Sequence, residues 1–277
     1  MTSTPQLTDR AALEHHRARA RRADPALFLH EAVLDEAQDR LADINRSFSD
    51  RAVVTGWPEP WRTAMPEARI ACDTETLDLE PGSLDLVVHA LALHWADDPV
   101  GQLVQCRRAL RADGLLLAAL FGGQTLHELR ACLAEAEAQV TGGLSPRVVP
   151  MGEIRDLGGL LGRAGFGLPV ADSFSLTATY ESPLHLMRDL RAMGEQNALA
   201  SRLRRPTRRA VMMEAMRLYQ ERFAGPDGRI PATFEIVTLT GWAPDESQQK
   251  PMRPGSAAQR LADALGTEER KLDPGPD

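Results

Sequence analysis

The sequence is short of several things, and each shortage closes off a class of protein. Lysine is nearly missing: Lys250 and Lys271 are the only two in 277 residues, so arginine carries almost all the positive charge, as the codon bias of a GC-rich genome would produce. Cysteine is scarce. Cys72, Cys106 and Cys132 are widely spaced and odd in number, which points to reduced thiols rather than a disulfide framework. Long apolar runs are lacking. The longest begins at Leu84 and is interrupted by Asp85, His89 and His94, whereas a membrane span needs ~20 nearly unbroken apolar residues, so no transmembrane segment is expected. Met1 to Arg10 contains no apolar stretch of the secretory kind, and with the free thiols this makes a bacterial cytoplasmic protein the expectation. The net charge of −7 argues against general nucleic-acid binding. No His/Cys group has metal-ligand spacing, and there is no Gly-x-Ser-x-Gly elbow or Walker-type phosphate loop.

What is there is an ordinary globular composition, 43% hydrophobic and 26% charged. Residues 11–46 read as helical, with Leu27, Phe28, Ala32, Val33, Leu34, Leu41 and Ile44 at three- and four-residue steps and a start signal at Asp24-Pro25. Ala52-Val53-Val54-Thr55 predicts a strand closed by Gly56, Pro58 and Pro60. Further strands are predicted over 69–72, 84–93 and 115–121, a helix over 100–110 and a turn at Asp113-Gly114. Thr125 and Glu128 have capping-box spacing before a long helix, and another helix covers about 152–164. Strands alternating with helices predict βαβ units and a parallel sheet. The last third changes character: a strand over 169–180, helices over 183–200 and 206–223, and a final alternating strand over 233–239. The expected organisation is a helical segment at 1–50, a shortened α/β core at 51–175, a helical insertion with the last strand at 176–245, and a polar tail at 246–277 with a helical patch at 257–265.

Several residues could carry chemistry, and each has a plainer reading. His94-Trp95 falls at the carboxyl edge of the sheet, as a pocket wall with His94 a candidate acid or base, or as packing under that edge. Asp97-Asp98 reads as a helix N-cap before Val100, with a metal or guanidinium as alternative ligand. His15, His16, Arg17, Arg19, Arg21 and Arg22 make a basic helix segment, either a solvated face or a grip on an acidic partner or anionic lipid. Gly122-Gly123 ends a strand or opens its backbone to a substrate. Met187, Met193, Met212, Met213 and Met216 are core or a soft binding surface. Arg202, Arg204, Arg205, Arg208 and Arg209 form a link that is solvated or contacts a partner.

A parallel α/β sheet completed by a late strand is the layout of class I S-adenosylmethionine methyltransferases, a Rossmann-like sandwich. Specific segments sharpen the likeness: Leu91-Ala92-Leu93-His94-Trp95, Phe121-Gly122-Gly123-Gln124-Thr125-Leu126, Gly142-Gly143-Leu144-Ser145-Pro146, Asp156-Leu157-Gly158-Gly159-Leu160-Leu161-Gly162, Asp189-Leu190-Arg191-Ala192-Met193-Gly194-Glu195, Pro231-Ala232-Thr233-Phe234 and Gly241-Trp242. In order and spacing they resemble the family of complex I (NADH:ubiquinone oxidoreductase) assembly factor five and its alphaproteobacterial relatives, itself related to the biotin-pathway malonyl-carrier-protein O-methyltransferases. The resemblance implies the methyltransferase fold, S-adenosylmethionine as cofactor, and a pocket lined by Gly56, Asp73, Ala90, His94 and Trp95. It also implies a role in early complex I assembly with a complex I subunit as partner, associated in mitochondrial relatives with hydroxylation of an arginine. The anionic-lipid reading of the basic helix segment would add peripheral membrane association.

The sequence departs from that family in two ways. The first strand of such a fold normally ends in Asp-x-Gly-x-Gly-x-Gly, whose glycines let backbone approach the cofactor. Here the segment is Val54-Thr55-Gly56-Trp57-Pro58-Glu59-Pro60, with one glycine left and prolines that lack an N–H. Between Gly56 and Leu84 there is room for one strand, not two with their helices. Ile70-Ala71-Cys72-Asp73 therefore matches the family's third strand, with Asp73 near the adenine, and the acidic residue that grips the ribose is missing. Three readings stand: a methyltransferase-family protein acting on a protein side chain in complex I biogenesis, a catalytically inactive binding module, and a carrier-protein or small-molecule O-methyltransferase.

Overall fold

The computed structural model describes residues 6–248, so the helical patch expected at 257–265 lies outside the described residues. The chain divides into two units, Met1–Pro244 and Asp245–Asp277. In the second, the Asp245 carboxylate accepts a hydrogen bond from the Ser247 amide at 2.8 Å.

The larger unit opens with helices α1 (Arg10–Arg21) and α2 (Phe28–Asp43). Strand β1 (Arg51–Thr55), helix α3 (Pro58–Ala64), β2 (Arg69–Ala71) and β3 (Leu84–Ala90) follow. A single 3-10 turn, Leu93–Trp95, leads to α4 (Pro99–Ala109), β4 (Leu110–Phe121), α5 (His127–Thr141) and α6 (Ile154–Arg163). Strand β5 (Gly167–Tyr180), helices α7 (Pro183–Ala192) and α8 (Arg209–Phe223), and β6 (Ile230–Trp242) complete it. The sheet order is β2-β1-β3-β4-β6-β5. β2, β1, β3 and β4 run parallel, and β6 is antiparallel to both its neighbours. This is the Rossmann-like sandwich with its late antiparallel strand and helical insertion.

The central strands are apolar throughout because both faces of the sheet are covered. Side chains alternate: Val53, Leu86, Val88, Leu115 and Leu117 join one core with α2, α5, α7 and α8, while Ala52, Val54, Val87, Leu116 and Ala118 join the other with α4 and α6. A third, small cluster of Leu13, Trp95 and Ala198 fixes α1 onto the carboxyl edge.

The helical stretch over 11–46 divides into two helices around the start signal at Pro25, which lacks the N–H to extend α1 and constrains the residue before it. Three local expectations change. The Asp113-Gly114 turn is a kink inside β4, with Asp113 at φ +58°. The capping box does not form. The Thr125 hydroxyl is engaged by the backbone of Glu235, and Glu128 accepts from the Thr233 amide at 3.3 Å, so tertiary partners take both groups. Finally, β2 pairs directly with β1, Val53 opposite Ile70. The 13 residues between Thr55 and Arg69 hold only the seven-residue α3, so the segment matched to a third strand takes the seat beside the first.

Candidate functional site

The carboxyl ends of β1, β2, β3 and β4 share one edge, where ligands bind in open α/β sheets. The fold brings the five residues the sequence singled out to this edge. Gly56 follows β1, whose Thr55 lies opposite Ala90 at the end of β3; Asp73 follows β2; and His94 and Trp95 sit in the turn after β3.

The part beside β1 is solid. A Cβ built on Gly56 would lie 2.3 Å from Cζ of Arg17, so a guanidinium from α1 covers the one remaining glycine of the loop. Arg17 Nη1 donates to both carboxylate oxygens of Asp73, at 2.9 and 3.0 Å, and both side chains are almost wholly buried. Arg10 adds a bond to the Asp73 carbonyl. Burial pushes the Asp73 carboxyl up, but Arg17 and Arg10 outweigh it and hold it below the usual carboxylate range. Trp57 is buried, with Arg21 stacked 5.0 Å from its ring centroid and donating to the Gly56 carbonyl. Within the basic segment of α1, Arg17 turns into the fold, whereas Arg19, Arg21 and Arg22 are exposed, Arg21 reaching the Gly56 carbonyl from the outside.

The part beside β4 is hollow. A cavity of about 350 Å³ is lined by Phe121, Phe234, Met187, Met193, Met212 and Glu195, among others. Trp95 also lines it, whereas Gly56, Asp73, Ala90 and His94 do not. Trp95 Nε1 donates to Glu195 Oε2 at 2.8 Å, and His94 Nε2 lies 3.5 Å from the same oxygen. Burial raises the Glu195 carboxyl, but His94, Arg17 and Trp95 together lower it below its ordinary value, so Glu195 is an anion in a largely apolar wall. Arg147, another lining residue, is held by Glu137 at 2.6 Å. Three of the five methionines thus border the cavity, while Met213 is exposed.

Other candidates take their plainer readings. Asp98 caps α4 through the Gly101 amide at 2.8 Å, and Asp97 accepts from the Leu7 and Thr8 amides. Gly122 lets the Glu235 carboxyl pass, which a Cβ would meet at 2.5 Å. Arg202 and Arg204 of the arginine link pair with Asp9. Sequence reasoning placed Arg17 only within a basic helix segment and gave Glu195 no role of its own. Arg17 shares one helix face with Leu13 and Ala20, all buried, and a cation in an apolar stripe is the signal that marks it.

A methyltransferase-domain family matches residues 34–118. That segment, running from α2 into β4, is what resembles a methyltransferase domain. It is 39% identical over 199 residues to arginine-hydroxylase NDUFAF5, mitochondrial, of Danio rerio, covering 72% of this chain and 62% of that protein. It is 39% identical over 181 residues to the malonyl-[acyl-carrier protein] O-methyltransferase of Laribacter hongkongensis, covering 65% of this chain and 58% of that one. The chain thus spans less than two thirds of the length of these relatives. The crystal structure of Burkholderia thailandensis 1,6-didemethyltoxoflavin-N1-methyltransferase superposes with a TM-score of 0.45 at 12% identity, over 88% of this chain and 94% of that one.

The methyltransferase-domain match over residues 34–118 implies S-adenosylmethionine as cofactor. The residues beside β1, as arranged, do not fit it: Arg17 lies on Gly56, both Asp73 oxygens are bound, and Trp57 fills the turn. The expected bacterial cytoplasmic location is corrected by the NDUFAF5 relatives, which are mitochondrial by name. The physical reason is that lack of an apolar leader bears only on secretion, since mitochondrial addresses are amphipathic and arginine-rich. Among the described residues no helix is long and apolar enough to cross a membrane.

Proposed function

We propose that this chain takes part in the assembly of respiratory complex I by holding a basic side chain of one of its subunits in the cavity beside Trp95. The observation that carries the reading is Glu195, a largely buried carboxylate in a wall of phenylalanine and methionine. An aliphatic stem ending in a cation matches that wall, because the apolar part is desolvated while the charge meets its counter-ion. The resemblance to the assembly-factor family supplies complex I, and the name of the NDUFAF5 relatives supplies arginine as the side chain. The site residues proposed for contact are Trp95 and Glu195, with His94 behind them. A malonyl carboxylate would face Glu195 as a like charge, which weighs against carrier-protein methylation. The Arg17 contact at Gly56 favours a second reading, that the chain works in assembly as a binding module without methyl transfer.

The test is genetic. Deleting the gene should lower NADH:ubiquinone oxidoreductase activity in isolated membranes. The wild-type chain should restore it, and a chain with Met212→Trp, which narrows the cavity from a half-buried wall, should not. Unchanged activity on deletion would sink the assembly reading. Full rescue by Met212→Trp would sink the role of the cavity.

A further inference from the structure

A ligand bound at the carboxyl edge beside β1 needs two things from this chain. It needs the open side of Gly56, the one position in the first loop without a Cβ, and it needs the carboxylate of Asp73, at the end of the strand next to β1. One side chain takes both. Arg17 Cζ and Nη1 lie 2.3 Å from where a Gly56 Cβ would be, and Nη1 bonds both Asp73 oxygens. Arg21, one turn further along α1, caps the Gly56 carbonyl.

The helix that delivers these arginines is strapped on from outside. The Asp9 amide donates to the Ala198 carbonyl at 2.7 Å and the Ala200 amide to the Leu7 carbonyl at 2.8 Å, around a bridge between Thr8 and Leu199. Asp97 Oδ1 accepts from the Leu7 and Thr8 amides, both at 2.8 Å. Gly194, at φ +73°, admits the backbone of Arg17, whose Cα a Cβ there would meet at 3.1 Å. The fit at the inner end is incomplete. Arg17 Nε and Nη2 and Trp57 Nε1 are buried with no hydrogen-bond partner among the described residues. Buried donors left unpaired weaken the closed arrangement relative to one in which they are satisfied.

We propose that α1 is a built-in stopper of the cofactor seat, with Arg17 as its plug, and that S-adenosylmethionine-type ligands bind only when Arg17 withdraws from Gly56 and Asp73. Withdrawal frees the glycine face, the Gly56 carbonyl and the carboxylate together, because the same helix covers all three. The proposal does not rest on the partner reading above: the seat opens or stays shut whatever the cavity beside Trp95 holds.

Isothermal titration with S-adenosylhomocysteine compares the full chain with Arg17→Ala and Asp97→Ala. Affinity is expected to rise at least about tenfold in Arg17→Ala. It should rise by a smaller factor in Asp97→Ala, which loosens the strap at residues 7 and 8 without emptying the buried site. Thermal unfolding establishes that each variant is folded, and if Arg17→Ala is not, Asp97→Ala decides alone. Equal affinity in the wild-type chain and the folded variants overturns the proposal, whether that affinity is measurable or below detection.

Discussion

The two ends of one sheet edge differ in what fills them. Beside β1 and β2 the space is taken by the chain's own side chains, Trp57, Arg17 and Asp73. Beside β4 it stays open, with about 350 Å³ between Phe121, Phe234 and the methionines of α7 and α8. The difference follows from local chemistry. A glycine-rich turn presents backbone amides to a ligand, whereas a Trp-Pro-Glu-Pro turn starts α3 at once and offers an indole and no proline N–H. Volume left by the shortened β1–β3 connection must be filled, because interiors are packed to crystal-like density. A buried cation brought in to fill it needs a counter-ion, and Asp73 supplies one. On the other side the insertion between β5 and β6 builds walls from flexible methionines, which border a space without closing it.

The sharpest way to break this comparison is to remove the plug's charge. Arg17→Met leaves Asp73 buried with only Arg10 nearby and should cost about 3 kcal/mol in denaturant unfolding. The double variant Arg17→Met with Asp73→Leu should recover most of that loss, and a single variant costing under about 1 kcal/mol would mean the closed half is not held by this pair. Next comes pH. His30, wholly buried near Trp57, has its pKa lowered to about 4, with desolvation as the main cause and Arg17 and His94 adding to it. Above pH 6.5 the ring is neutral in both states. Between 6.5 and about 4 the unfolded chain takes up a proton that the folded chain refuses, so stability falls as pH falls, by about 3 kcal/mol across the window. Unfolding midpoints measured from pH 7 to 4 should show this slope, and His30→Phe should flatten it. An unaltered slope in that variant would assign the effect elsewhere.

Glu195 joins the two halves, since it faces Arg17 electrostatically and lines the cavity. Glu195→Gln keeps an acceptor for Trp95 Nε1 but removes the charge, and should cost about 1–2 kcal/mol. No change in stability would separate the cavity from the plug. The smallest effect belongs to the open side. Met187→Ala enlarges a space that already exists, so it should cost about 1 kcal/mol or less in the same unfolding measurement. A loss of the size typical for buried core would show that the cavity wall is packed more tightly than the open space implies.

Much of the fold was legible along the chain. The apolar runs at Ala52-Val53-Val54, Leu86-Val87-Val88 and Leu115 to Phe121 became β1, β3 and β4, because a strand covered on both faces needs no polar side. Asp98 before Pro99 and Val100 announced the start of α4 and caps it. The loss of the glycine loop was legible too, and it is the place where Arg17 lies. Other readings failed where distant partners competed. Thr125 and Glu128 have capping-box spacing, yet residues 233 and 235 of β6, more than a hundred positions away, hold both side chains. The basic stretch of α1 looked outward by composition alone. The inward turn of Arg17 within it depends on Asp73, 56 residues on, and on Gly194, whose positive φ lets the helix approach.

What the sequence determined by itself was the order of strands and helices, the apolar faces that bury them, and the absence of a glycine cradle after β1. These are local properties, set by periodicity and by the backbone limits of glycine and proline. What only the tertiary structure decided was which side chain fills that place and where open volume remains. A buried guanidinium is stable only where a carboxylate from another part of the chain meets it, and a cavity exists only between elements that have already packed. Neither is a property of any segment alone.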